Sequence, residues 1–324
     1  MQRSSRRFFP LLALLGFGLV LSLGWLQRYA ILDWWRLRNY DPPARIVQLA
    51  DETRMSEEGR HLFYVHHPEL NDRVAFNENC TIDEESIVLG CYVAGEGIYL
   101  FDVSDPRLAG VHQVTAAHEM LHAAYSRLSH RERKHIDELT ASFYRTLADD
   151  RIRKTIAAYE KRDPSVIANE LHSILATEVE TLTPELEDYY RRYFTDRTAV
   201  VAYSKAYEAA FQERKDKVAA YDAELDALKA EIELKDASLE TMSAELNTER
   251  ERLDGLLAQQ EYEAYNAGVN SFNARVRTYN ATVNQVRSLI DRYNRLVAER
   301  NAVALEENEL VKAIDSRPST ISPE

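Results

Sequence analysis

Apolar and polar positions alternate in three different rhythms along this chain. Residues 8–27 carry no charge at all. At about 1.5 Å of rise per residue such a run makes a helix about 30 Å long, enough to span a bilayer core. Short β-type runs follow at 61–66, 87–93 and 97–103, separated by Asn, Gly and Pro signals. The last two, joined through Ala94, Gly95 and Glu96, predict a β-hairpin. From 111 to about 197 the apolar spacing is helical, with Asp163-Pro164 and Thr183-Pro184 as helix starts. Beyond that lies a heptad region. Leu225, Ile232, Leu239, Leu246 and Leu253 recur every seven residues, joined by Leu228, Met242 and Leu256. A second seam, Tyr265, Phe272, Tyr279, Val286 and Tyr293 with Val269, Val276, Val283, Ile290 and Val297, is out of phase with the first. The phase break and Gly255 near the midpoint predict an antiparallel helical hairpin; one continuous coiled coil with a register slip is the alternative.

The rest of the composition narrows this picture. A net charge of −13 argues against a nucleic-acid partner, whose phosphates need clustered Lys and Arg. Arg3, Arg6 and Arg7 precede the uncharged run, and Trp25, Tyr29, Trp34 and Trp35 gather at its end, where membrane-interface aromatics belong. The expectation is a single-pass anchor that holds the rest of the chain outside the cytoplasm; a cleaved signal peptide competes with it. The two cysteines, Cys80 and Cys91, suit a disulfide in an oxidising compartment, or two buried thiols.

The chemistry concentrates at Thr115-Ala116-Ala117-His118-Glu119-Met120-Leu121-His122-Ala123-Ala124. Spacing of four puts both imidazoles on one helix face within reach of one tetrahedral Zn²⁺, and Glu119 is offset toward an open coordination position as a general base. Around the ligands the residues are uncharged, as a core-facing metal helix requires. The motif resembles the zincin superfamily of metallopeptidases. Lacking the short-spaced third His of metzincins, it looks like a gluzincin, whose third ligand is a Glu on a later helix. In Asn169-Glu170-Leu171-His172-Ser173, Glu170 is preceded by Asn and followed three positions on by a small residue, which resembles that ligand pattern; Glu178 is the alternative, and Glu180 stays open. The ligand candidate that does not reach the metal is expected to accept a hydrogen bond from a ligand histidine. His172, Tyr125 and Tyr144 are candidates for oxyanion stabilisation or support of the ligands. His112, His130 and His135 read as solvated.

Strands followed by helices imply an α+β fold, of which the resemblance covers about 59–197. Its parts are a tail, transmembrane anchor and juxtamembrane segment over 1–40, a small zincin-like catalytic domain over 41–197, a coiled-coil hairpin over 198–315 and a disordered tail over 316–324. The implied function is a membrane-anchored zinc peptidase cleaving peptide or protein substrates, with the hairpin selecting substrates or mediating self-association. A cell-wall peptide is one such substrate. A rival reading is an envelope scaffold built on the coiled coil with a structural zinc. Asn266, Asn273, Asn280 and Asn294 flank the second seam and specify register, a partner groove or merely a polar edge.

Overall fold

The computed structural model describes residues 28–80 and 87–317. It corrects the fold class. Among the described residues the chain is a helical protein, 78% helix with one three-stranded sheet, and not a zincin-like α+β domain, and no described helix could cross a membrane. One reason lies at 61–66, expected as a strand: these residues belong to helix α3 (Glu57–Val65) and its C-cap. Ser56 accepts from the Gly59 amide as N-cap, Glu57 and Glu58 fill the first turn, and Leu62, Phe63 and Val65 are buried along it.

The expected anchor is corrected as well. Among the described residues no helix is long and apolar enough to cross a membrane, so a single-pass protein with an extracytoplasmic catalytic domain is not supported. The run 8–27 lies outside the described residues. Next to it, α1 (Arg28–Leu37) uses its acidic residue for tertiary structure. Asp33 is buried and takes two hydrogen bonds from Arg127, at 2.7 and 2.8 Å, and one contact of 2.9 Å from His61. Burial alone would raise the Asp33 carboxyl; Arg127 and His61 outweigh it and hold it below the usual range.

The chain divides into two compact units, 1–208 with 313–324, and 209–312. In the first, α2 (Ala44–Glu52), α3, β1 (Glu69–Asn71) and α4 (Arg73–Asn79) precede β2 (Gly90–Val93) and β3 (Gly97–Phe101). The sheet order is β1-β3-β2, with β1 parallel and β2 antiparallel to the central β3. β2 is therefore an edge strand. A disulfide joins Cys80, just after α4, to Cys91 in β2.

The core is built around α5 (Val111–Arg127), which buries Ala116, Ala117, Met120, Leu121, Ala123 and Ala124. Gly110 caps its start at φ 101°, a left-handed conformation that glycine adopts without penalty, with the Tyr203 carbonyl close by. α6 (His130–Thr146) begins with a complete capping box, Ser129 and Glu132. α7 (Asp150–Arg162) and α8 (Ile167–Glu178) follow, and α8 packs along α5. Arg197 secures the end of α8. It is 5% exposed, and its guanidinium donates to the Ala176, Val179 and Glu180 carbonyls at 3.0, 2.6 and 3.0 Å, satisfying carbonyls that a helix end leaves unpaired. α9 (Pro184–Tyr190) supplies Glu187, which holds the same guanidinium at 2.5 and 3.1 Å.

In the second unit α10 (Thr198–Ala258) and α11 (Tyr262–Ile314) run antiparallel. Arg300 meets Asp222, Arg214 meets Glu306 and Lys235 meets Gln285 across the pair. Leu228, Leu253, Val286, Leu296 and Leu310 are its buried layers. Ile290, placed on the seam by heptad counting, is 40% exposed, because the 3.6-residue helix drifts away from a strict seven-residue repeat.

Candidate metal centre

The site is assembled from α5 and α8, which is why its two halves lie far apart in sequence. Spacing of four sets His118 against His122 with ring centroids 4.6 Å apart at 84°. One ligand atom from each of His118, Glu119 and His122 lies within 4.8 Å of the others, so the group could hold a metal ion. From α8 the Glu170 carboxylate straddles both rings: Oε2 is 3.5 Å from His118 Nε2 and Oε1 is 3.7 Å from His122 Nε2. Glu170 Oε2 is buried with no hydrogen-bond partner. A buried carboxylate oxygen without a hydrogen bond, 3.5 Å from the His118 imidazole, fits a cation, since burial without a partner is otherwise costly.

Ser173, one turn on from Glu170, is fully buried, and its Oγ lies 3.2 Å from His122 Nδ1. That contact leaves Nε2 facing Glu170. Glu178 does not reach the imidazoles. Its Oε2 is 2.6 Å from Arg151, which also binds Glu208 at 2.8 Å. Glu180 is exposed and pairs with Lys205.

Electrostatics follow from burying four ionisable groups together. Burial would lower the His118 imidazole, but Glu170, Glu119 and Glu178 lift it to about 9. His122 falls to about 4, through burial and the neighbouring His118. Burial raises Glu119 to about 7 against the His118 charge, with Glu170 adding to the rise and an amide hydrogen bond from Tyr92 opposing it. Glu170 is below its ordinary value despite burial, because His118 and His122 favour its carboxylate. A carboxyl poised near neutrality beside a metal set is what general-base work needs.

The edge strand lies against Glu119. A Cβ on Gly90 would be 2.5 Å from Thr115 Cγ2 and 2.8 Å from Glu119 Cγ, so only glycine lets the backbone come this close. The Phe101 amide donates to the Leu89 carbonyl at 2.8 Å, so Gly90 and Tyr92 direct their main-chain groups away from β3. The Tyr92 hydroxyl lies 3.0 Å from Ser126 Oγ on α5. A cleft of about 730 Å³ opens here, with His118, Glu119, Gly90, Val114, Tyr159 and Arg151 among its lining.

No protein-family model matches the chain, and neither a curated protein nor a solved structure matches it significantly. The site therefore rests on its own geometry.

The aromatic candidates fall elsewhere. His172 is fully buried among Tyr125, Tyr189, Tyr190 and Tyr193, with Nε2 2.9 Å from the Tyr189 hydroxyl; burial and the charges of His122 and His118 push it down to about 3. Tyr125 donates to Asp137 at 2.8 Å. Tyr144 stacks under Arg153. None of the three is among the residues lining the cleft. His112, expected to be solvated, instead accepts from the Val103 amide at 2.9 Å, and burial lowers its pKa. His130 and His135 are exposed, His135 lying 3.5 Å from Glu185. The residue that sequence reasoning missed is Tyr159. It shares the cleft with His118 and Glu119 and interacts with Glu170, and its phenol is raised by burial and by the Glu170 and Glu119 charges.

Proposed function

We propose that the chain is a zinc-dependent peptidase of the H-E-x-x-H type. His118, His122 and Glu170 would hold the metal, and Glu119 would be the general base. One observation carries the reading: the Glu170 carboxylate lies 3.5 and 3.7 Å from the His118 and His122 Nε2 atoms, the separate Glu119 carboxylate stands beside them, and His118 and Glu119 line an open cleft. Three protein ligands of this kind suit a catalytic zinc, which keeps one position open. The bound metal would act as a Lewis acid and make water acidic enough to ionise near neutral pH.

This chain's own groups complete the chemistry. Glu119 takes the water proton on its carboxylate and passes it to the leaving amine. Tyr159 keeps its proton at neutral pH and donates a hydrogen bond to the carbonyl oxygen as that oxygen gains charge. Gly90 offers an outward main-chain N–H and C=O with which an extended peptide can pair.

The test is Glu119→Gln in the full chain, with metal content measured beside hydrolysis of a peptide library. Metal stoichiometry should stay unchanged while turnover falls by about 10² to 10⁴-fold, the usual contribution of a general base. Equal cleavage by both proteins removes Glu119 from the mechanism. Absence of metal and of cleavage in the parent protein removes the peptidase reading itself.

A further inference from the structure

Cys91 occupies the single position between Gly90 and Tyr92, two residues that hold β2 against the helix of the general base. On one side Gly90 brings its backbone against Glu119 and Thr115. On the other the Tyr92 hydroxyl lies 3.0 Å from Ser126 Oγ on the same helix. β2 is paired by the ladder to β3 alone. Besides its packing on α5, it is tied by the bridge from Cys91 to Cys80, which follows α4, where Phe76 packs on Phe101 of β3 at 5.6 Å between ring centroids. Edge strands with one ladder are the part of a sheet that opens most readily.

We propose that the Cys80–Cys91 bridge is a positioning element for Glu119, and that reducing it switches catalysis off while the metal ligands stay in place. The inference rests on the peptidase reading for its catalytic half only. Cys91 is the more accessible residue of the pair, half-buried where Cys80 is 3% exposed. A dithiol reductant attacks there. Its thiolate forms a mixed disulfide as the Cys80–Cys91 bond breaks; its second thiol then closes the reductant's own disulfide. Two electrons and two protons pass to the protein, which is left with two thiols. His118, His122 and Glu170 sit on α5 and α8, and neither helix carries a cysteine.

The experiment compares the oxidised full chain with the Cys80→Ser/Cys91→Ser double variant and with reduced, then reoxidised, wild type. It reads amide hydrogen exchange at Gly90 and Tyr92, metal stoichiometry, kcat and KM. The expected result is faster exchange at both amides, unchanged metal, and kcat lower by about 10²-fold, the typical consequence of displacing a catalytic group by about 1 Å. KM should move far less, and reoxidation should restore kcat. Exchange at the wild-type rate in the double variant overturns the proposal, as does full kcat despite faster exchange. If the oxidised wild type cleaves no peptide, the peptidase reading fails, and the exchange data still decide whether the bridge holds the strand.

Discussion

In the metal-free protein a proton on His118 stands where a metal would have to bind, and this makes metal affinity steeply dependent on pH. His118 is lifted to about 9, whereas His122 is already neutral at pH 7. At pH 7 only about one molecule in 10² has His118 deprotonated, which weakens metal binding by about 2.7 kcal/mol. The apparent dissociation constant should therefore fall about tenfold per pH unit between pH 7 and 9, with about one proton released per metal bound. Competition with a chromophoric chelator across that range measures the slope. Titration calorimetry in buffers of different ionisation enthalpy counts the proton. Glu170→Gln removes the first group that lifts His118, so the variant should bind more weakly but with a flatter slope. A flat wild-type profile would refute the reasoning. Stability carries the same sign. The folded imidazole holds its proton above its ordinary 6.5, so it stabilises the metal-free protein below that pH. That stabilisation, about 3 kcal/mol, is lost as pH rises through about 9. Glu119, raised to about 7, acts in the same direction, and metal-free protein should melt progressively lower from pH 6.5 to 9.

Three further outcomes test the surrounding structure. Arg197→Ala leaves the Ala176, Val179 and Glu180 carbonyls without their donor and should lower unfolding free energy by about 3 kcal/mol in urea; a change under about 0.5 kcal/mol contradicts the capping role. Ser173→Ala removes the partner of His122 Nδ1 and should weaken metal binding about 10- to 100-fold with secondary structure intact, measured by chelator competition. Gly90→Ala forces a methyl into Thr115 and Glu119 and should depress kcat without loss of metal; unchanged kcat would show that the strand has room to retreat.

What could be read from the residues alone followed the range of the interactions involved. His118, Glu119 and His122 are legible because their geometry is one helical turn long. Glu170 had a local pattern, yet only the packing of α8 on α5 separates it from Glu178, since both lie on the same helix. Tyr159 had no motif. Its signal was an aromatic hydroxyl on the face of α7 that also buries Ile152 and Ile156, within an otherwise charged helix. Residues 61–66 misled because a short apolar run has no reliable period, and the deciding cap, Ser56, lies outside it. Tyr29, Trp34 and Trp35 were read for a membrane, while the decisive contact of that segment is Asp33 with Arg127, 94 positions away.

That clasp also sets how far the chain can be shortened. A version starting at Ala44 would keep every metal ligand but delete the carboxylate that neutralises Arg127 at the far end of the ligand helix. The stranded guanidinium would then have to hydrate, pulling on the same α5 that carries His118 and His122. A deprived charge of this sort destabilises by about 3 to 5 kcal/mol when buried. Trimming the amino end therefore calls for replacing Arg127 with a neutral side chain at the same time.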